Sequence, residues 1–143
     1  MPESSLRLQR HIHHVATRGP GFLDVTDDVA QWLGSIGAAE GGVTLFIRHT
    51  SASITIQENA DPDVLRDLSE ALDIIAPQDR AYRHSTEGPD DMPAHIRAML
   101  TSTSLTIPIA AGRMMLGTWQ AVYLIEHRTA PHDREIVLLY TGT

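Results

Sequence analysis

The C-terminal part of the chain most constrains the fold, because three strand-like segments follow one another there with only short turns between them. The segments are SLTIPI at residues 104–109, RMMLGTWQAVYLIEHR at 113–128 and REIVLLYTG at 134–142. Apolar runs of this kind, bounded by Gly, Pro and Asp, are typical of β-strands. Gly117 predicts a bend in the second segment, and Pro108 places the first at an edge or a bulge. The chain is therefore predicted to be rich in β-sheet.

Three short helices are predicted upstream of these strands. One begins at Thr26, which can cap it. A second is capped by Asp61 and has Pro62 at its first position, and a third runs from Pro93 to about Leu100. Their apolar residues recur at helical spacing and are expected to face the core: Val29, Trp32, Leu33 and Ile36 in the first, Val64, Leu65, Leu68, Leu72 and Ile75 in the second, and Ile96, Met99 and Leu100 in the third.

Strands are also predicted at residues 6–16, at 43–49 and again at 54–56, which gives about six strands in all. In the 43–49 strand both faces are apolar enough to be covered. Helices placed in the connections between such strands favour a mainly β, α+β fold over a doubly wound sheet. We expect one domain, residues 1–143, built as a two-layer, jelly-roll-like β-sandwich with short flanking helices.

Composition excludes several classes of site. The chain of 143 residues has no cysteine, so thiolate metal sites, disulfides and a cysteine nucleophile are absent. The net charge of −7 argues against nucleic acid or an anionic membrane as the main partner. The N-terminal segment lacks the apolar run of a signal peptide, and we expect a cytoplasmic protein. The glycine-rich phosphate loops and the GxSxG and HExxH motifs do not occur.

The segment HSTEGPDDMPAH, residues 84–95, carries the densest group of chemically useful side chains. His84 precedes an acidic loop, and His95 is expected in the first turn of the following helix. Two imidazoles brought together across such a loop suit a metal site or a general acid/base site. The same composition is also typical of an ordinary surface loop.

A second polar break interrupts the strand pattern at RHTSASITI, residues 48–56. His49 is interpreted either as a structural histidine at a bend or as a ligand in a polar pocket wall. Three imidazoles, His49, His84 and His95, would leave a coordination position open on a divalent metal. Zinc is the metal that this donor set favours first. Candidates for a general base or for partners of the ligand histidines are Glu87, Asp90 and Glu126. Glu126 is alternatively half of a surface ion pair with Arg128 or Arg134.

The stretches RHTSASITIQENADPDV, YRHSTEGPDDMPAH and LGTWQ, with the closing strand, resemble the YjbQ-like family, whose members are called secondary thiamine-phosphate synthase enzymes. The similarity runs from about Gly21 to Gly142. It implies a β-sandwich that assembles as a homotrimer, with polar residues clustered in one pocket. By position, it implies metal ligands and further polar pocket residues: His49, His84, His95, Ser51, Ser53, Asn59, Asp61, Glu87, Asp90, Gln120 and Glu126.

The family name implies a reaction that joins a pyrimidine-methyl diphosphate to a thiazole phosphate and releases diphosphate. Such a reaction needs a metal or cations to stabilise the leaving group. Arg48 is the expected phosphate contact near the motifs, and Arg83 and Arg97 are further cations there. The alternative is a non-catalytic module that binds a metal or a small molecule.

The chain departs from the family pattern at three positions. Asp91 stands where many relatives have asparagine, and it adds a negative charge near the expected pocket. His127 and His132 replace residues that are often aromatic or arginine, and both are interpreted as surface variation.

Overall fold

The computed structural model describes residues 5–143. It contains eight strands and three helices in the described part of the chain. Their bounds are β1 Arg7–Ala16, β2 Gly21–Asp24, α1 Thr26–Ser35, β3 Gly41–Ile47, β4 Ala52–Glu58, α2 Pro62–Ile75, α3 Asp91–Leu100, β5 Ser104–Ala110, β6 Arg113–Met114, β7 Gln120–Glu126 and β8 Asp133–Gly142.

Two antiparallel sheets form the fold. The larger has the strand order β1-β8-β3-β5-β6, and the smaller has the order β2-β7-β4. The core lies between them and is closed by α1, with Leu45 and Leu138 from the larger sheet, Ile54 and Leu124 from the smaller, and Leu33 from α1 all at most 1% exposed. The predicted mainly β, α+β architecture is therefore confirmed. No helix among residues 5–143 is long and apolar enough to cross a membrane.

The predicted strand at 113–128 is wrong as a single element. Gly117 and Gln120 form a turn, in which the Gln120 backbone N–H donates to the Gly117 carbonyl and the Gly117 N–H donates to Gln120 Oε1. This turn separates β6, which belongs to the larger sheet, from β7, which belongs to the smaller one. The bend predicted at Gly117 thus moves the chain from one sheet to the other. The four-residue strand β2 was too short for its periodicity to be recognised.

The helices lie close to their predicted positions in the chain, but the residues that α3 buries differ from those predicted. Asp61 caps α2 by accepting the Asp63 N–H at 2.9 Å. Helix α3 begins two residues before Pro93, which is tolerated because N–H groups in the first turn have no partner within the helix. The inward face predicted for α3 is wrong: Met99 is 77% exposed and Leu100 53%. The helix instead packs through the short side chains of its other face, Pro93, Ala94 and Ala98.

Two apolar surfaces remain uncovered in the single chain. The apolar residues of α2 are at most partly buried, and several line a groove of about 440 Å³ against the smaller sheet, among them Leu68, Leu72 and Ile75. On the outer face of the larger sheet, Phe46 is 48% exposed and pairs in register with Val137, which pairs with Ile12. The prediction that both faces of β3 are covered is wrong for this chain on its own.

Candidate metal centre

His84, Asp91 and His95 form one group in which the ligand atoms all lie within 4.8 Å of one another. Asp91 Oδ2 is 2.6 Å from His84 Nε2 and 3.2 Å from His95 Nε2. Asp91 and His95 lie one turn apart on α3, so both side chains project from the same face. The chain reaches α3 through Gly88, whose φ of +103° is readily adopted only by glycine. Two imidazoles and a carboxylate are a donor set that suits zinc and related divalent metals.

The hydrogen bonds of His95 call for a proton or a metal ion beside its Nε2. His95 Nδ1 lies 3.0 Å from the Thr50 carbonyl oxygen, which can only accept, so Nδ1 must donate. In the neutral ring Nε2 then presents a lone pair to Asp91 Oδ2. Two lone pairs facing each other at 3.2 Å repel, so either a proton on Nε2 or a metal ion must lie between these atoms. The donor set therefore fits a divalent metal.

Arg128 forms ion pairs with the two aspartates of the centre, Asp90 and Asp91. Its Nη1 donates to Asp91 Oδ1 at 2.8 Å and its Nε donates to Asp90 Oδ2 at 2.9 Å. The Asp91 side chain is 2% exposed, so its second oxygen is oriented toward the imidazoles by a buried ion pair. Burial opposes ionisation of Asp91, but the contacts with His84 and then His95 outweigh it and lower the pKa. Asp91 is therefore an ionised carboxylate whose orientation suits a metal ligand.

Asp90, a predicted catalytic residue, is already fully engaged. Besides Arg128, it accepts hydrogen bonds from the Thr129 N–H at 2.9 Å and the Thr129 hydroxyl at 3.1 Å. Burial alone would raise its pKa, but these bonds lower it to about 2. A carboxylate held in this way joins the loop before α3 to the segment after β7, and it does not exchange protons near neutral pH.

His49, the third predicted ligand, does not lie in this group. Its Nε2 accepts the Glu135 N–H at 2.8 Å, and its Nδ1 is 3.4 Å from Arg134 Nη1. Burial and then the Arg134 charge lower the pKa of His49. The ring therefore faces donors of β8, whereas His84 and His95 face Asp91. The group of possible ligands in the structure is therefore two histidines and an aspartate, and His49 lies outside it.

Glu126 is buried in an ion pair with Arg134, whose Nε donates to Oε1 at 2.8 Å and whose Nη2 donates to Oε2. Thr17 Oγ1 donates to the same carboxylate at 2.6 Å. Burial opposes ionisation, but the hydrogen bonds from Arg134 and Thr17 lower the pKa of Glu126. The alternative drawn from the sequence, an ion pair of Glu126 with Arg134, is present, but it is buried and not at the surface, since both side chains are at most 4% exposed. Arg134 also donates to Ser51 Oγ at 3.1 Å, which places Ser51 in this buried network.

Ser53 and His127 form a second buried contact, with Ser53 Oγ 2.9 Å from His127 Nε2. Thr101 Oγ1 lies 2.5 Å from the same Ser53 hydroxyl. His127 is 3% exposed, so its interpretation as surface variation is wrong. Burial, and next the charge of Arg97, lowers its pKa to about 4. His132, by contrast, is 31% exposed at its side chain.

The remaining predicted site residues lie at the surface. Arg48 pairs with Glu135 at 3.2 Å, and Gln120 closes the turn to Gly117. Asn59 is exposed and its backbone N–H donates to the Trp119 carbonyl. Glu87 has an exposed carboxylate whose Oε2 is 3.9 Å from His84 Nε2. Glu87 is thus the predicted acid/base candidate that is both near the centre and accessible.

Sequence reasoning missed two residues of the centre. Asp91 was interpreted as an added charge, although its spacing of four residues from His95 on a predicted helix was a usable signal for a shared face. Arg128 was considered only as a surface partner of Glu126. Nothing in the sequence indicates that it reaches back 37 residues to Asp91.

The sequence profile of the family described as "UPF0047 protein YjbQ-like" matches residues 10–143, which include every residue of this centre. The chain belongs to the YjbQ-like family. A UPF0047 protein of Synechocystis sp. is 49% identical over 140 residues, covering 97% of this chain and 95% of that protein. YjbQ of Salmonella typhimurium is 40% identical over 123 residues, covering 85% and 89% respectively.

Solved structures of YjbQ-like proteins share the fold. A family member from Clostridium acetobutylicum is similar with a TM-score of 0.84 at 37% identity, covering 91% of this chain and 98% of that one. A protein from Sulfolobus solfataricus gives a TM-score of 0.89 at 22% identity, covering 97% of this chain and 100% of that one, and this likeness bears on the fold alone. The names of these proteins state a family and no activity.

Proposed function

We propose that this YjbQ-like protein is a metal-dependent transferase whose metal, zinc first among the divalent ions, is held by His84, Asp91 and His95. The observation that carries the proposal is the orientation of His95. Its Nδ1–H is engaged by the Thr50 carbonyl, so in the neutral ring its Nε2 lone pair is directed at an ionised carboxylate. A donor set so arranged attracts a cation, and three protein ligands leave room for a further ligand from solvent or substrate.

The proposed reaction is thiamine-phosphate synthesis from a pyrimidine-methyl diphosphate and a thiazole phosphate, as the family name suggests. The metal would supply Lewis-acid stabilisation of the negative charge on the departing diphosphate. The residues of the chain have separate tasks. Arg128 fixes Asp91, Thr50 fixes His95, and the exposed carboxylate of Glu87 takes up or releases a proton beside His84.

A non-catalytic metal-binding module is the second candidate, and the position of Glu87 favours it. Glu87 Oε2 lies 3.9 Å from His84 Nε2, close enough for a small rotation to bring it to the same ion as a fourth protein ligand. A centre closed by four protein ligands has no position for a substrate. The two candidates therefore differ in whether Glu87 binds the metal or stays free for proton transfer.

The protein is further proposed to assemble as a homotrimer. The exposed outer face of the larger sheet supports self-association, because Ile12, Phe46 and Val137 lie side by side across three neighbouring strands, and the number of three subunits comes from the family resemblance. Apolar sheet faces of this kind are normally covered in the assembled protein.

The function is tested by measuring thiamine-phosphate formation. The samples are wild-type protein, wild-type protein after chelation, the chelated protein with metal added back, and His84→Ala. His11→Ala is the matched control, since His11 on β1 stacks on Trp32 of α1 rather than on a residue of the centre. We expect turnover to be lost on chelation, to return with the metal, to be lost in His84→Ala and to persist in the control. Turnover that survives both chelation and His84→Ala would refute the metal-dependent transferase. Stoichiometric metal binding without turnover would favour the module.

A further inference from the structure

The hydrogen bonding of His49 fixes where its ring proton lies. Nε2 is 2.8 Å from the backbone nitrogen of Glu135, which can only donate, so Nε2 must be an acceptor. The imidazole is then neutral and carries its proton on Nδ1. A neutral ring agrees with the lowered pKa of His49, caused by burial and then by Arg134. His49 Nδ1 is therefore a hydrogen-bond donor.

The group that faces this donor is another donor. Arg134 Nη1 lies 3.4 Å from His49 Nδ1, and a guanidinium nitrogen cannot accept. The other two nitrogens of Arg134 already have acceptors, with Nε and Nη2 both bonded to Glu126. Within residues 5–143, His49 Nδ1 is the one polar atom within hydrogen-bond distance of Nη1. Two sets of N–H groups thus converge on a space that contains no acceptor from the described part of the chain.

We propose that His49 Nδ1 and Arg134 Nη1 bind one oxygen of a small oxyanion, a phosphate or a carboxylate group. An oxygen between them would accept from both donors and would relieve their mutual repulsion. His49 also lines a cavity of about 510 Å³ together with Arg48, Thr50 and Ser51. Arg134 is not part of that lining, so an anion bound by both donors has to extend from this cavity inward to the buried guanidinium. The Arg134 side chain is 4% exposed, which keeps its guanidinium fixed in orientation.

Directional donors rather than net charge would give this site its selectivity. Glu126 already balances the charge of Arg134, and Glu135 pairs with Arg48 at 3.2 Å. The site is therefore expected to bind weakly and to prefer a tetrahedral anion, which can contact both the buried donors and the cavity, over a planar one. The proposal does not rest on the proposed function, because it uses none of the three metal ligands. The loop carrying His49 does touch the metal centre through Thr50, so one ligand could extend from one site to the other.

Nitrogen-15 NMR of the histidine side chains tests, without any substitution, which nitrogen of His49 carries the proton and whether an anion binds there. It is measured on the wild-type, metal-loaded protein. We expect His49 in the Nδ1–H tautomer and a saturable shift of its Nδ1–H signal on addition of inorganic phosphate, with a smaller response to acetate. An equal or larger response to acetate would assign the site to carboxylates. A His49 proton on Nε2, or no shift with either anion, would overturn the proposal and leave a bridging water as the partner of the two donors.

Two substitutions at His49 separate its two nitrogens. Glutamine can keep an acceptor for the Glu135 N–H but has no donor at the Nδ1 position, whereas asparagine can keep a donor there. Loss of a hydrogen bond to a charged group lowers affinity by about tenfold or more, so His49→Gln should weaken phosphate binding by at least that factor and His49→Asn by less. His11→Gln is the control and should bind as wild type does, because His11 packs on Trp32 of α1. Equal phosphate affinity in His49→Gln and wild type would overturn the proposal.

His84→Ala distinguishes this site from the metal centre. Phosphate that binds at the His49 site should still shift Nδ1–H in this variant, even when the metal and the proposed turnover are lost. Loss of the shift in His84→Ala would show that the phosphate was bound by the metal, which would overturn the proposed anion site and leave the metal centre standing.

Discussion

Glu126 is the residue whose substitution best separates a catalytic role from a structural one. Its carboxylate accepts hydrogen bonds from Thr17 Oγ1 at 2.6 Å and from the backbone N–H groups of His127 and Arg128 at 3.0 and 3.1 Å, in addition to two from Arg134. Glu126→Gln preserves the shape and removes the charge. In either orientation its amide N–H₂ then faces an Arg134 nitrogen that can only donate, while Arg134 stays buried without a counter-charge.

The size of the effect follows from that burial. Removing one partner of a buried ion pair costs about 3–5 kcal/mol, because the other charge is left uncompensated. For a chain of this length each kcal/mol lowers the melting temperature by roughly 3 °C. We therefore expect Glu126→Gln to melt roughly 9–15 °C below wild type. A catalytic glutamate would instead leave the melting temperature nearly unchanged and lower the rate.

The assay is thermal unfolding followed by circular dichroism, with metal content measured on the same samples. Glu135→Gln is the matched control, because its carboxylate pairs with Arg48 at the surface, where the two side chains are 33% and 52% exposed. Exposed pairs of this kind contribute less than about 1 kcal/mol. If Glu126→Gln melted together with this control, the structural role assigned to Glu126 would be refuted.

Three further predictions follow from the same structure. The pKa of His127 is lowered to about 4 in the folded protein, so the unfolded chain binds more protons than the folded one between pH 4 and 6.5. The free energy of unfolding should therefore fall by about 2 kcal/mol from pH 7 to pH 5. Urea denaturation should show this fall in wild type and much less of it in His127→Gln. Glu87→Gln should keep the metal and lower thiamine-phosphate turnover by about 10²–10⁴-fold, whereas reduced metal content would identify Glu87 as a ligand of a closed centre. Phe46→Asp should convert a trimer to monomers in light scattering, and an unchanged particle mass would exclude the outer face of the larger sheet as the interface.

Local signals accounted for most of the fold. The cap at Asp61, the bend at Gly117 and the apolar strands depend on neighbouring residues, which a sequence displays directly. The buried face of α3 could not be predicted in this way. Its long apolar residues Met99 and Leu100 point outward, and the choice of the alanine face depends on how closely the helix approaches the sheet, which only the assembled fold decides.

The candidate site was predictable in part for the same reason. His84 and His95 lie eleven residues apart on one loop and helix, so their convergence could be expected from local structure. His49 comes from a distant strand end, and its side chain is turned toward β8 by the Glu135 N–H. Asp90 and Arg128 bind each other although they lie 38 residues apart in the sequence. Ligand identity at such positions depends on long-range pairing, which residue types alone do not determine.

The central claim is that the metal is held by His84, Asp91 and His95, without His49. Inductively coupled plasma mass spectrometry on purified wild type, His95→Gln and His49→Gln tests this most directly, since the two variants make the same change at a ligand and at a non-ligand. We predict close to one divalent metal per chain in wild type and in His49→Gln, and a loss of most of it in His95→Gln. Full metal content in His95→Gln, or equal loss in both variants, would contradict the claim.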